Sequence, residues 1–149
     1  MAGKDKDKKP SILIVEDDAA SRDLMQILLA DYGDCSFAEN GLKGLEIFTQ
    51  ALGTDKPFDL VCLDIMMPEL DGLDTLKQMR QAEQARGIKT PDGVKVIMVT
   101  TANQQAKTMR AFHYGCNGYL VKPISKDALI REMNKLPLRL SANAQWRGK

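Results

Sequence analysis

The sequence has one histidine, three cysteines, one tryptophan and no apolar run of membrane-spanning length. A spanning helix needs about 20 consecutive apolar residues, and the start, Lys4-Asp5-Lys6-Asp7-Lys8-Lys9, holds no hydrophobic signal region. Cys35, Cys62 and Cys116 lie too far apart for a disulfide framework or a zinc knuckle. Cys35 and Cys62 read instead as small buried hydrophobes in a reducing, cytoplasmic compartment. His113 would need an exposed helix-bundle setting to serve as a phosphodonor, and it reads as a helix-surface residue. Charge of one sign is missing too. Twenty-one Lys and Arg against 20 Asp and Glu leave +1, with no global pull toward nucleic acid or membrane. Neither a Walker nor a dinucleotide glycine pattern follows the first apolar run, so a phosphate cradle is not expected.

What is present is ordinary for a globular domain: 44% hydrophobic and 28% charged residues over 149 positions, one domain by length. Residues 1–10 form a charged arm closed by Pro10, 11–136 the folded domain, and 137–149 a tail. The tail carries Arg139, Trp146, Arg147 and Lys149 and reads as a solvated terminus, too short for an output domain. Short apolar runs at 12–15, 35–38, 60–63, 94–99 and 118–121 predict five strands. Between and after them run helix-spaced stripes: Ala20, Leu24, Ile27, Leu28; then Leu42, Leu45, Phe48, Leu52; then Leu73, Leu76, Met79. Ala106, Met109 and Phe112 mark a fourth helix, and Leu129, Met133 and Leu136 a fifth behind the N-cap Ser125. Residues 86–93, with two glycines and a proline, predict a long loop. Five strands alternating with five helices imply an α/β domain with a doubly wound parallel sheet covered on both faces.

The strand ends carry the chemistry. The first run stops at Glu16-Asp17-Asp18, the third at Asp64, the fourth at Thr100 and the fifth at Lys122. After Asp64, Pro68 and Asp71-Gly72 forbid further strand, so Asp64 stands on the lip of a loop. In a parallel sheet these ends share one edge, where such folds bind ligands. Clustered carboxylates repel one another unless a cation joins them. Hard oxygen donors with room for water suit magnesium. An aspartate beside such a metal can attack phosphorus and form an acyl phosphate. Lys122 would neutralise phosphoryl oxygens and Thr100 would donate a hydrogen bond.

At Ile12-Leu13-Ile14-Val15-Glu16-Asp17-Asp18, Leu63-Asp64 through Asp71-Gly72, Val99-Thr100-Thr101-Ala102 and Gly118-Tyr119-Leu120-Val121-Lys122-Pro123, the chain resembles the receiver domain of two-component response regulators, of the stand-alone chemotaxis type. The resemblance implies a flavodoxin-like fold and a phosphoryl group accepted by Asp64 from a histidine kinase or histidine phosphotransferase. It implies Mg2+ held by Glu16, Asp17, Asp64 and the Met66 backbone carbonyl. Lys122 then contacts the phosphate, Thr100 and Tyr119 form a switch pair, and Met66 and Ala102 tune phosphoryl lifetime. The Lys122-Pro123 bond is cis in similar proteins. A downstream protein would dock on the face of the fourth helix, fifth strand and fifth helix, with neither membrane nor nucleic acid as partner. Such a chain is a switch that catalyses only its own phosphoryl transfer and dephosphorylation.

Three other readings fit these residues less well. A magnesium phosphatase with an aspartyl phosphate needs a second acid two residues past the nucleophile, where this sequence has Met66. A flavodoxin-like nucleotide binder would not place three acids after its first strand, at a helix N-terminus meant for phosphate. A receiver-like interaction module unable to take phosphate would not be expected to keep Asp64, Thr100 and Lys122 together.

Overall fold

A computed structural model describes residues 9–67 and 69–136. The arm at 1–8, Pro68 and the tail with Arg139, Trp146, Arg147 and Lys149 lie outside the described residues. The elements are β1 (Ser11–Val15), α1 (Ala19–Leu29), β2 (Asp34–Ala38), α2 (Gly41–Leu52), β3 (Leu60–Asp64), α3 (Gly72–Ala85), β4 (Lys95–Thr100), α4 (Gln105–His113), β5 (Gly118–Val121) and α5 (Lys126–Asn134). All strand pairs are parallel, in the order β2-β1-β3-β4-β5. The fold is therefore the doubly wound α/β sandwich expected from the alternation of elements. Because β1 is flanked by both β2 and β3, the winding reverses between β1 and β3, and a crevice opens beyond their carboxyl ends.

Side chains alternate across the sheet, and both faces are covered, which is why the central strands read as unbroken apolar runs. Leu13, Val15, Val61, Leu63, Val96 and Met98 pack against Phe48, Leu76, Met79 and Ala111 on one side. Ile12, Ile14, Leu60, Cys62, Ile97 and Leu120 meet Met25, Leu29, Leu129 and Met133 on the other. Burial pushes the Cys62 thiol up to about 12, which fits the inert core role expected of it. Cys35 is only half-buried.

Four helices begin where a side chain accepts the amide three residues on: Asp18 from Ser21, Asn40 from Lys43, Asp71 from Asp74 and Ser125 from Ala128. Asp71 thus caps α3, which leaves Asp64 without that structural duty.

Three helix faces differ from the spacing prediction. On α1 the buried residues are Met25 and Leu29, while Leu24 faces out and Ile27 is 71% exposed. That helix is apolar over more than one stripe, so spacing alone does not select the core face. On α2, Gly41 and Gly44 turn inward with Phe48, and Leu42 is exposed. A Cβ on Gly44 would come within 2.8 Å of Val15, so the small residue lets the helix lie close on β1. On α4 the order is inverted: Thr108 and Ala111 are buried, whereas Met109 (70% exposed) and Phe112 face outward and Ala106 is exposed too.

The long 86–93 connection contains a turn of 3-10 helix, Thr90–Asp92. It is pinned by the buried Glu83, whose Oε2 accepts the Val94 amide at 2.7 Å. Glu83 also pairs with Arg80 at 2.8 Å, and Arg80 reaches the Gly115 carbonyl at 2.7 Å. This buried pair joins α3, β4 and the α4–β5 turn at the sheet edge opposite the acidic crevice. With its charges hydrogen-bonded on all sides, it avoids the cost of an isolated buried ion.

Candidate active site

Backbone pairing sets the site. β1 runs in register with β3, Val15 beside Leu63, so the residue after each strand lies on the same edge. Asp64 is opposite Val99, and Thr100 is opposite Val121, one residue short of Lys122. Sequence positions far apart are thereby gathered by strand pairing alone.

The carboxylates of Glu16, Asp17 and Asp64 have oxygens within 4.8 Å of one another. Glu16 and Asp64 are buried, Asp64 to 5% exposure, and Asp17 faces the crevice mouth. Lys122 bridges the buried pair, its Nζ 3.0 Å from Glu16 Oε1 and 3.5 Å from Asp64 Oδ2. Glu16 also accepts the Asp18 amide through Oε2 at 3.1 Å, and its carbonyl accepts Arg22 at 2.9 Å. Asp64 Oδ1 accepts the Met66 amide at 3.3 Å. The loop after Asp64 is thus held by its own backbone.

One ammonium does not balance three carboxylates. Burial, then the hydrogen bond and charge of Glu16, push Asp64 up to about 7, against the opposing pull of Lys122 and the Met66 amide. Burial works to lower Lys122, but its hydrogen bond to Glu16 and the two carboxylate charges hold it above its ordinary value. The excess negative charge and the all-oxygen donor set fit a hard divalent cation such as Mg2+. A site built to be comfortable without a cation would have more positive side chains.

Thr100 is buried, and its hydroxyl donates to the Thr101 carbonyl at 3.2 Å, beside the strand end. Tyr119 is exposed on β5, its ring edge-on to Phe112 with centroids 6.0 Å apart. Met66 is 47% exposed on the loop after Asp64, and Ala102 lies in the β4–α4 connection. The Lys122-Pro123 peptide is cis. His113, at the end of α4, is exposed and outside the acidic cluster.

Sequence reasoning missed two residues here. Arg22 ties α1 to the Glu16 carbonyl. Lys107 of α4 donates to Met66 Sδ at 3.2 Å. Only tertiary packing brings Lys107 to a loop 41 positions away, so no local signal marks it.

Among the described residues no helix is long and apolar enough to cross a membrane. The model of the response regulator receiver domain matches residues 12–134. The chemotaxis protein CheY of Bacillus subtilis is 34% identical over 127 residues, covering 83% of this chain and 94% of its own. The master transcriptional regulator RpaA of a Synechocystis strain is 34% identical over 136 residues, 86% of this chain and 52% of RpaA. The chain spans about half the length of the curated transcriptional regulators it matches. The Saccharomyces cerevisiae Ssk1 receiver domain, solved with the histidine phosphotransfer protein Ypd1, superposes with a TM-score of 0.74 at 27% identity. That match covers 86% of this chain and 88% of the other. An acidic strand edge bridged by one lysine, in a five-stranded 2-1-3-4-5 sheet that matches this model nearly end to end, makes the chain a member of the response regulator receiver domain family.

Proposed function

We propose that the domain, over residues 11–136, is a phosphorylation-driven binding switch in which Asp64 accepts a phosphoryl group from a histidine kinase or histidine phosphotransferase. The observation that carries this reading is Lys122 seated between Glu16 and Asp64 beside a third carboxylate, at the edge where the winding reverses. The Ypd1 complex of the Ssk1 receiver supports the choice of donor class.

An Asp64 oxygen forms a bond to phosphorus while the phosphorus–nitrogen bond of a phosphohistidine breaks, its electron pair leaving on the imidazole. Glu16, Asp17, Asp64 and the Met66 carbonyl would hold magnesium, which would supply charge neutralisation for the transferring group. Lys122 keeps one donor on a phosphoryl oxygen, and Thr100 turns its hydroxyl from the Thr101 carbonyl to another. Burial of Asp64 excludes most water from the bond that forms. The reading is tested by incubating the protein with magnesium and acetyl phosphate: one phosphoryl group should be added per chain, and none in EDTA. Equal labelling in EDTA would sink the magnesium-dependent mechanism.

The readout face is α4, β5 and α5, where a downstream protein binds. Met109, Phe112, Tyr119 and Val121 are large apolar side chains left exposed there. Movement of Thr100 toward the phosphoryl group frees space beside β5 that the Tyr119 ring can fill, a two-state change in packing. Amide shift changes on phosphorylation should therefore concentrate in residues 100–130. Changes confined to 64–72 would reject the switch while leaving phosphoryl transfer standing.

Lifetime depends on water in line with the acyl phosphate. Met66 and Ala102 flank that path in this reading, and neither side chain orients water. Met66→Asn with Ala102→Glu should speed decay after donor removal about tenfold, since positioning of a reactant is worth about one to a few kcal/mol. Unchanged decay in the double variant would show that water placement at these two positions does not set the lifetime.

A further inference from the structure

We propose that Lys107 is a second cation for the phosphoryl group, parked on the Met66 sulfur until that group arrives; the inference rests on the reading of Asp64 as acceptor. Two short contacts connect it to the nucleophile. Lys107 Nζ lies 3.2 Å from Met66 Sδ, and the Met66 amide lies 3.3 Å from Asp64 Oδ1. Met66 therefore touches the ammonium with its sulfur and the Asp64 carboxylate with its amide.

The parking place is a poor one. A thioether is a weak acceptor, and no carboxylate comes within ion-pair distance of Lys107 among the described residues. Met66 is half-exposed, so the sulfur is not locked in a packed core. A lysine in that state exchanges readily for a phosphoryl oxygen, which it binds as a point charge.

The helix that carries it is also loosely started. Alone among the five α-helices described, α4 begins without a side-chain cap, at Gln104. Its first turn is held mainly by backbone bonds and by Thr108 Oγ1 on the Gln104 carbonyl. A pull on Lys107 acts on this turn and so on the nine-residue helix as a body, which carries Met109 and Phe112 of the readout face on another side. Lys107 thus links phosphoryl charge to α4 from the outside, while Thr100 acts from the strand.

Two effects follow. Before transfer, the extra positive charge at the crevice mouth draws anionic donors toward an otherwise acidic cleft. After transfer, the ammonium sits on a phosphoryl oxygen and covers the open side of the acyl phosphate against water.

The test uses the full chain with acetyl phosphate and magnesium at low ionic strength, following uptake and then decay after donor removal. Lys107→Met keeps a flexible, helix-compatible stem and removes the charge. It should slow uptake at subsaturating donor about five- to tenfold, with the deficit shrinking as salt rises, and shorten the lifetime by a similar factor. Lys107→Arg should restore both. Lys89→Met makes the same change in net charge on the exposed loop at the opposite edge and should match the parent. Parent-like uptake and decay in Lys107→Met overturn the role of Lys107 and leave Asp64 as acceptor. Slowed uptake with unchanged decay also overturns it, because the cation would then steer donors without touching the phosphoryl group. A parent that takes no label overturns both readings.

Discussion

Replacing Asp64 with asparagine is expected to end phosphoryl uptake and, in metal-free buffer, to make the fold more stable. The two effects share one cause. Asp64 is buried beside Glu16, and its carboxyl is pushed up to about 7 by burial and by that neighbour. In the unfolded chain an aspartate titrates near about 4. Between those values the folded state binds the proton more tightly, so stability falls as pH rises through the window and levels off above it. The parent in EDTA should lose stability from about pH 4 to pH 7 through this group, and Asp64→Asn should lack that slope. At pH 8 the variant should be more stable by about 1–2 kcal/mol, less than the full shift implies because the effective dielectric around buried charges in proteins is high. Magnesium should raise the parent's melting temperature, by binding the folded state only, and leave the variant nearly unmoved. Urea denaturation across pH, with and without magnesium, measures both. A variant less stable than the parent at pH 8 in EDTA would mean that Lys122 already compensates the Asp64 charge and that no cation is wanted there.

The site was legible because of the fold's own symmetry of direction. In a parallel sheet every carboxyl end falls on one edge, so Glu16, Asp64, Thr100 and Lys122 could be gathered from four of the five apolar runs without knowing which strand pairs with which. The runs were readable because strands covered on both faces are apolar throughout. Helix orientation was less so. Leu24, Ile27, Met109 and Phe112 have the hydrophobicity of core residues and stand at helix spacing, yet they face outward while Thr108, Ala111 and Gly44 face in. Spacing reports that a stripe exists; it does not report which stripe the sheet selects. On α4 the exposed stripe is the one that the proposed partner face needs. Arg80 and Glu83 gave no sign of burial in the sequence, since an i,i+3 charge pair on a helix ordinarily lies in solvent. Here both are buried, and the signal lies in backbone groups of Val94 and Gly115 that no sequence pattern marks. Lys107 was invisible for the same reason.

Gly72→Ala is expected to damage the acceptor site and the fold together, at a position with no reactive atom. Gly72 opens α3 directly after its cap Asp71, and its amide donates to the Ile65 carbonyl at 2.8 Å. The helix start is thereby folded back against the end of β3. A Cβ on Gly72 would lie 2.2 Å from the Asp64 carbonyl oxygen and 2.7 Å from the Ile65 Cα, both backbone atoms. No rotamer change relieves that overlap, so either α3 or the loop after Asp64 must move. Overpacking against side chains costs about 1–3 kcal/mol, and against backbone the cost should reach about 3 kcal/mol or more. The loop is the softer element, so Asp64 and the Met66 amide should shift and uptake from acetyl phosphate should fall at least tenfold in the fraction that stays folded, a displacement effect on a positioned nucleophile. Gly87 supplies the contrast. It has φ +79° and nothing within 4 Å of the position a Cβ would take, so alanine there meets backbone strain alone. Gly87→Ala should cost about 1–2 kcal/mol, the ordinary penalty of a left-handed residue, and leave uptake unchanged. The two variants therefore separate a glycine kept for space from one kept for conformation. Folded fraction by circular dichroism, read beside label uptake per folded molecule, distinguishes them. If Gly72→Ala folds and takes label like the parent, the contact between α3 and the Asp64 carbonyl does not hold the nucleophile in place.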